Sequence, residues 1–477
     1  MMVFLDKDKN AVEDSRNFKY LDELIHSGAK EIILDSNIVL DDGEESEYLE
    51  GIKLDVDGLV FDGNNHRIDA GAKSRIFKCT GKNVTIKNAI LENGFNDRYG
   101  GAICNSRDLT IVKSALKKNK AFGKYYGYGG AIFNEGGKLT IIESALEQNI
   151  ATSNGGAIYN KSEMSILKSR LEHNSACYNN RSSGGAIYNE KGNITIEKSV
   201  ISRNDLKGLT VWTSSHFCRG GALYNNEGII AIIESAVTNN IAHGESSRGG
   251  AIYNTMGEIT VFDSKIACNE SQDYGGAIFN EDGKLTIIKS LLSQNAVKAK
   301  SEWVYFTQAS GGAIYNIFGS LTVDESSFEK NFASNSGGAI NIEIGEISIA
   351  KSSFTENTAK VKNGGAILNH GGELNIVESD FIGNSSIGGS GGAIQNANGL
   401  TIRKSSFNNN NACYSGGAII DKPYWLKKGL NISESTFKSN TSSYDGAVTL
   451  IHPEEFELKE CTFINNSPDD ICEKSKK

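Results

Sequence analysis

Proline is nearly missing from this chain, 3 residues in 477, while glycine reaches 52. That pairing excludes collagen and Pro/Gly-rich linkers, so glycine must act at fixed positions. Tryptophan is scarce too, at 3. No stretch approaches the ~18 consecutive apolar residues that span a bilayer. The opening MMVFLDKDKNAVEDSRN carries charges from Asp6 onward and has no apolar signal-peptide core. This leaves either a protein kept inside the cell or one whose leader has been removed. A basic excess is absent as well: the net charge of −9 gives no support to nucleic-acid or anionic-membrane binding. The 8 cysteines include no CxxC pair, which speaks for small apolar fillers and free thiols rather than zinc, redox motifs or a disulfide framework. GxSxG, HExxH, P-loop and GxGxxG signatures are missing, and the Gly-Gly motifs lack the Asp pattern of calcium-binding β-rolls. No catalytic residue, metal or cofactor is expected.

What the chain does contain is one phrase restated. GGAIFNEGGKLTIIESALEQN (Gly129–Asn149) returns as GGAIYNEKGNITIEKSVISRN (Gly184–Asn204) and GGAIFNEDGKLTIIKSLLSQN (Gly275–Asn295). Gly-Gly-Ala first occurs at Gly100 and recurs every 25 to 36 residues as far as Gly416, with a degenerate copy at Asp445. Each copy holds an AIYN-like run, an LTI-like run, and a Ser-x-apolar-x-x-Asn phrase such as SSFEKN (Ser326–Asn331). Three short β-type segments per ~25 residues are too few for a sandwich and lack a 3.6-residue period. They fit one coil of a parallel β-helix, whose equivalent residues stack ~4.8 Å apart. The expected fold is all-β, a single-stranded solenoid of about 14 coils.

Stacking assigns roles to single positions. The Ile row (Ile132, Ile158, Ile187, Ile252, Ile278, Ile314) is expected to point inward, each side chain contributing ~1.5–3 kcal/mol. Asn in the last slot (Asn119, Asn149, Asn174, Asn204, Asn269, Asn295) is expected to take left-handed turn geometry and to bond its neighbours in a ladder. The Gly pair permits close coil contact. Residues 1–50 are assigned to an N-terminal cap, 51–466 to the β-helix and 467–477 to a charged tail. Within the cap, Ser15–Ser36 begins with a cap-like Ser, runs through an amphipathic helix with Tyr20, Leu21, Leu24 and Ile25, and turns at Gly28 into a strand.

Repeated GGAI[YF]N followed by LTI, SxF and xxN resembles adhesin-like right-handed parallel β-helix proteins of methanogens. It is also similar to the GGAI and FxxN repeats of chlamydial polymorphic outer-membrane proteins, and GLVFDGNNHRIDA (Gly58–Ala70) looks like an opening coil of the pectin-lyase-like superfold. The resemblance covers roughly residues 50 to 466. It implies a right-handed helix and a secreted or cell-surface location. It leaves function open, because this superfold hosts lyases, hydrolases and non-enzymatic adhesins.

Enzymes of the superfold use acidic residues on outer strand faces. Here the charged column before the Ser slot mixes signs, as in Lys113/Glu143 and Lys351/Glu378, and reads as a solvated ion-pair ladder. The adjacent acids Glu234/Asp263 and Glu434/Glu460 have no Arg or His at their slot, and Asp62 with His66 sits in a turn signal. The more informative surface is the slot after the Ile row: Phe133, Tyr159, Tyr188, Tyr224, Tyr253, Phe279 and Tyr315. Six intervals of ~4.8 Å make an outward stripe ~29 Å long, either a structural ring ladder or a surface for a linear polysaccharide. Insertions at Lys120–Tyr128, Asp205–Arg219 and Ala296–Ser310 fall in one turn and add Tyr125, Tyr126, Tyr128, Trp212, His216, Trp303, Tyr305 and Phe306.

The expectation is a non-enzymatic, monomeric, adhesin-like rod. Its ligand-binding residues would be Tyr159, Tyr188, Tyr224, Tyr253, Tyr315, Trp212, His216, Trp303, Tyr305 and Phe306, and its partner a polysaccharide or a cell-surface glycan or protein. The alternatives are a polysaccharide lyase or glycoside hydrolase, and a purely structural scaffold.

Overall fold

A computed structural model describes residues 15–176, 181–207, 217–244, 246–299, 308–423, 429–451 and 456–474. They form a right-handed parallel β-solenoid of about 15 turns with one short helix. Among the described residues, strands of the GGAI run line up from Ile52–Leu54 to Ile471–Lys474, and strands of the LTI run from Glu31–Ile33 to Phe456–Lys459. A third sheet gathers the SxF strands, ending at Thr462–Ile464, and a narrow fourth gathers two-residue strands from Phe95–Asn96 to Thr441–Ser442.

The register is that of like on like. Ile132 pairs with Ile158, Ile158 with Ile187, Ile252 with Ile278, and Ile278 with Ile314. All are fully buried, as are the apolar residues of the LTI run. In the later coils the SxF strands add a file of buried phenylalanines, Phe328, Phe354, Phe381, Phe407 and Phe437, stacked 4.7–4.9 Å apart. That spacing is the coil spacing, so rings of equal size need no side-chain rearrangement to stack.

Both glycines of each pair are required. At Gly250 a Cβ would lie 2.1 Å from the Gly276 carbonyl oxygen of the next coil. At Gly249, with φ +66°, it would lie 2.1 Å from the carbonyl oxygen of Ile252. Two files of asparagine run inside the turns. From Asn119 to Asn466, each Asn Nδ2 donates to the Oδ1 of the next coil, as between Asn149 and Asn174 (2.9 Å) and between Asn269 and Asn295 (3.0 Å). The same Oδ1 accepts the backbone N–H of its predecessor, so one buried amide serves three partners. The second file is the Asn of AIYN itself, Asn105 to Asn316, and it resumes at Asn369 and Asn396 to end on Asp421 at 2.7 Å. Left-handed backbone falls one residue earlier than expected. It belongs to Gln148 (φ 58°), His173 (φ 56°) and Cys268 (φ 56°), not to the asparagines that follow them. The residue before the Asn makes the turn, and the Asn is then free to aim its amide inward.

The helix spans Phe18–Ile25 and buries Phe18, Leu21 and Ile25 over the first coil. Its N-cap is Asn17, whose side chain accepts from the Tyr20 N–H, rather than Ser15, which lies in a strand. The sheets already include Glu31–Ile33 and Asn37–Val39, paired with Val60–Asp62 and Ile68–Asp69. At the other end Ile471–Lys474 pairs with Val448–Ile451, and Lys474 binds Asp445 at 2.6 Å.

Candidate binding trough

The ring row lies on the outer side of the GGAI sheet, opposite the Ile row. Tyr159 pairs in register with Tyr188, Tyr188 with Tyr224, and Tyr224 with Tyr253. Ring centroids from Phe133 to Tyr315 are 4.8–5.4 Å apart, with planes within 24° of parallel. The row faces outward as its position predicts, yet Tyr159 and Tyr224 are only 7% exposed, Tyr315 6% and Tyr253 0%; Tyr188 is half-buried. The reason is geometric. Rings spaced one coil apart must cover each other's faces, so only edges and hydroxyls reach the surface. Of the two readings the sequence left open, the row has the form of a structural ring ladder.

Two walls flank this row. One is the column just before each Gly-Gly, whose members pair in parallel: Tyr128, Asn154, Ser183, Arg219, Arg248, Tyr274 and Ser310. Arg219 lies over Tyr253 at 5.4 Å and Arg248 over Phe279 at 5.1 Å. The other wall supplies carboxylates. Glu190 accepts from the Tyr159 hydroxyl at 2.9 Å, Glu343 from Tyr315 at 2.9 Å, and Glu281 from Tyr253. Burial, reinforced by these carboxylates, pushes the Tyr159, Tyr253 and Tyr315 phenols far above their ordinary range.

Past Tyr315 the same slot holds Asn341, Leu368 and Gln395, themselves buried, and a groove lies over them and over Phe279 and Tyr315. The resulting groove has a volume of about 610 Å³. Amides line one side and the floor: Gln308, Asn335 and Asn363 before the Gly-Gly pairs, and Asn341 and Gln395 in the ring slot. Glu343 anchors one wall, receiving Asn341 Nδ2 at 3.0 Å and His370 Nδ1 at 3.4 Å. Burial raises its carboxyl, but hydrogen bonds from His370, Tyr315 and Asn341, with the His370 charge, outweigh that and hold it at about 2.

Of the residues singled out from sequence, Tyr159, Tyr188, Tyr224, Tyr253 and Tyr315 are brought into one file, and Tyr315 forms the end of the groove. Trp212, His216, Trp303, Tyr305 and Phe306 lie outside the described residues. Sequence reasoning missed Arg248, Tyr274, Glu343 and His370. The signal was there: each occupies a fixed offset from Gly-Gly or from Asn, and each faces the slot where rings give way to amides. The charged column behaves as an ion ladder, with Lys113–Glu143 at 3.9 Å, Lys198–Glu234 at 3.6 Å and Lys289–Glu325 at 3.7 Å. Asp62 makes the turn that its sequence predicts, accepting from the Asn64 N–H at 2.9 Å. Cys79 and Cys104 lie on neighbouring strands in different rows, Cys79 opposite Asn105 and Cys104 opposite Lys78, and both are free thiols. Among the described residues no group of three His, Cys, Asp or Glu comes together to hold a metal, and no helix is long and apolar enough to cross a membrane.

Residues 144–161 and 325–343 match the Chlamydia polymorphic membrane protein repeat. Each stretch joins the Ser-x-apolar-x-x-Asn phrase to the next GGAI run. The stacked files define a parallel β-helix repeat protein. Its repeat unit is similar to that of the chlamydial membrane proteins, as the motifs implied. None of the curated proteins matches the sequence. Solved structures that align include PfbA, a surface adhesin of Streptococcus pneumoniae, at 10% identity and TM-score 0.31, covering 94% of this chain and 87% of that one. The PL6 family alginate lyase AlyGC aligns at 9% identity and TM-score 0.20, covering 96% and 99%. The alginate lyase AlyF-OU02, in complex with G6, aligns at 9% identity and TM-score 0.21, covering 91% and 84%. At these scores none of the three bears on function.

Proposed function

We propose that this protein is a non-enzymatic, adhesin-like rod, secreted or displayed at the cell surface as a monomer, that binds a carbohydrate along its GGAI face. The observation that carries the reading is the open end of the trough. A groove floored by Phe279, Tyr315 and the buried Asn341 and Gln395, with Gln308, Asn363, Lys362 and His370 on its sides, offers donors and acceptors to sugar hydroxyls. The stacked tyrosines from Tyr159 to Tyr315 lead up to that groove, and Tyr315 lines it. The match to a membrane-protein repeat supports the surface location.

Pull-down of the full chain across a panel of insoluble polysaccharides tests this. A binder is expected whose retention falls at least ~5-fold when Asn363→Ala and Gln395→Ala are combined, the loss of two hydrogen bonds of ~0.5–1.5 kcal/mol each. Retention of every panel member at background level, or unchanged retention in the double variant, refutes the groove as the site.

A further inference from the structure

We infer that the same face carries a second sugar site, a platform of Tyr99, Tyr125, Tyr126 and Tyr128, so that one linear polysaccharide chain is held at two points. The inference rests on the carbohydrate reading of the groove and adds to it.

The platform stands on the same wall as the groove. Tyr99 pairs in parallel with Tyr128, and Tyr128 begins the column that runs through Arg219 and Arg248 to Ser310 at the groove. The rings of Tyr99 and Tyr128 lie 5.9 Å apart at 19°, and those of Tyr126 and Tyr128 6.1 Å apart at 15°. Tyr128 meets Tyr159 edge-on at 5.1 Å, so the platform continues the buried file at its other end. Unlike the buried file, it is open: Tyr125 is 64% exposed and Tyr126 60%. Asp97, Arg98 and Lys124 surround the rings in a concavity of about 440 Å³.

The exposure is held in place by the backbone. Phe122 N donates to Asn96 O at 2.8 Å, and Tyr128 N to Arg98 O at 2.8 Å, fixing the loop to the preceding coil. Ser153 N donates to Gly127 O at 3.0 Å and Thr152 Oγ1 to Gly123 O at 3.2 Å, fixing it to the next. A Cβ at Gly127 would lie 2.0 Å from Ala121 O, so only glycine lets the loop close this tightly. Two large rings are thus kept in water on a pinned loop, instead of folding down over the file. Tyr126, covered by Tyr128 on one side and 60% exposed, suits a pyranose with the charged groups at its rim: its outer ring face takes the sugar's C–H face, the rim its hydroxyls. From Tyr128 to Ser310 the wall advances six coils, or ~29 Å. Two contacts on one wall, spaced by a fixed repeat, match a linear polymer.

Two linked contacts should raise affinity by 10²–10⁴ over one. The test titrates the full chain with mannan-, cellulose- and chitin-derived sugars, each as disaccharide and as oligomers long enough to span ~29 Å. The spanning oligomer of the bound series is expected to bind at least ~100-fold tighter than its disaccharide. Tyr125→Ala with Tyr126→Ala, both exposed and outside the core, should abolish that chain-length gain while leaving the melting midpoint unchanged. Asn341→Tyr, which extends the ring file into the groove, should abolish the gain from the other side. If spanning oligomers gain nothing over disaccharides, or the tyrosine variant keeps the gain, the two-point inference is overturned and the groove reading stands. If no sugar binds wild type, both fall. If the platform instead retains a protein in place of sugar, the inference is likewise overturned.

Discussion

Gly250→Ala isolates the contact on which coil stacking depends. The added Cβ would sit 2.1 Å from Gly276 O and 2.5 Å from the carbonyl carbon of Glu270, both backbone atoms that no rotamer change can move. Restoring ordinary separation requires the coils to part by ~1 Å of their ~4.8 Å spacing. That stretches the hydrogen bonds from Gly250 N to Gly275 O (3.0 Å), Ala251 N to Ala277 O (2.9 Å) and Ile252 N to Ala277 O (2.8 Å). At ~0.5–1.5 kcal/mol for each bond, plus loosened packing of the Ile row, the cost comes to ~3–4 kcal/mol. Gly383→Ala is the matched comparison. Gly383 has the positive φ (+63°) that Gly250 lacks, but its nearest neighbour is Glu356 Cγ at 3.6 Å, and its file elsewhere holds Gln148, His173, Lys330 and Glu356 at φ 53–58°. Its replacement should cost ~1 kcal/mol or less. Guanidinium unfolding of both variants beside wild type reads the difference as midpoint shifts. Equal shifts would refute the argument that close approach, rather than backbone angle, fixes these glycines.

Two further outcomes follow from the ladders. Burial pushes the Asp421 carboxyl up to about 6 against the hydrogen bond from Asn396, so the folded state is penalised as pH rises from ~4 through ~6. Asp421→Asn, which continues the amide file, should therefore stabilise by ~1–2 kcal/mol at pH 7.5 and by nothing at pH 3.5; a gain independent of pH would contradict this. Asn269→Leu deprives Asn240 of the acceptor for both its backbone N–H (2.9 Å) and its Nδ2 (3.0 Å), each buried. A loss of ~3 kcal/mol or more is expected by thermal melting, and a melt within a degree of wild type would count against the ladder as a stabilising element.

The coil repeat was legible because every turn uses the same letters at the same offsets: Ile after Gly-Gly-Ala, Ser before the third strand, Asn at its end. Those letters fix the register, and the Ile and Asn files followed directly. Other features need the third dimension. The left-handed positions hold Lys, Glu, Gln, His and Cys alike, so their identity carries no turn signal; only Asn and Ser hydrogen bonding to the next coil shows why the preceding residue must bend. The ring row was visible, but the sequence left open whether it is a ladder or a stripe, because a 4.8 Å spacing that permits a stripe also makes each ring cover the next. The change from Tyr315 to Asn341, Leu368 and Gln395 looked like a fading motif. It marks the groove, since Arg248, Tyr274 and His370 rise beside it from other parts of the coil.

The central claim is that the trough binds where rings no longer fill it. Asn341→Tyr would stack on Tyr315, gaining ~0.5–1.5 kcal/mol while losing the hydrogen bond to Glu343, so stability should stay near wild type. The deciding measurement is the dissociation constant of the best-bound disaccharide for this variant and for wild type. The account predicts at least ~10-fold weaker binding with an unchanged melting midpoint, and equal affinity would contradict it.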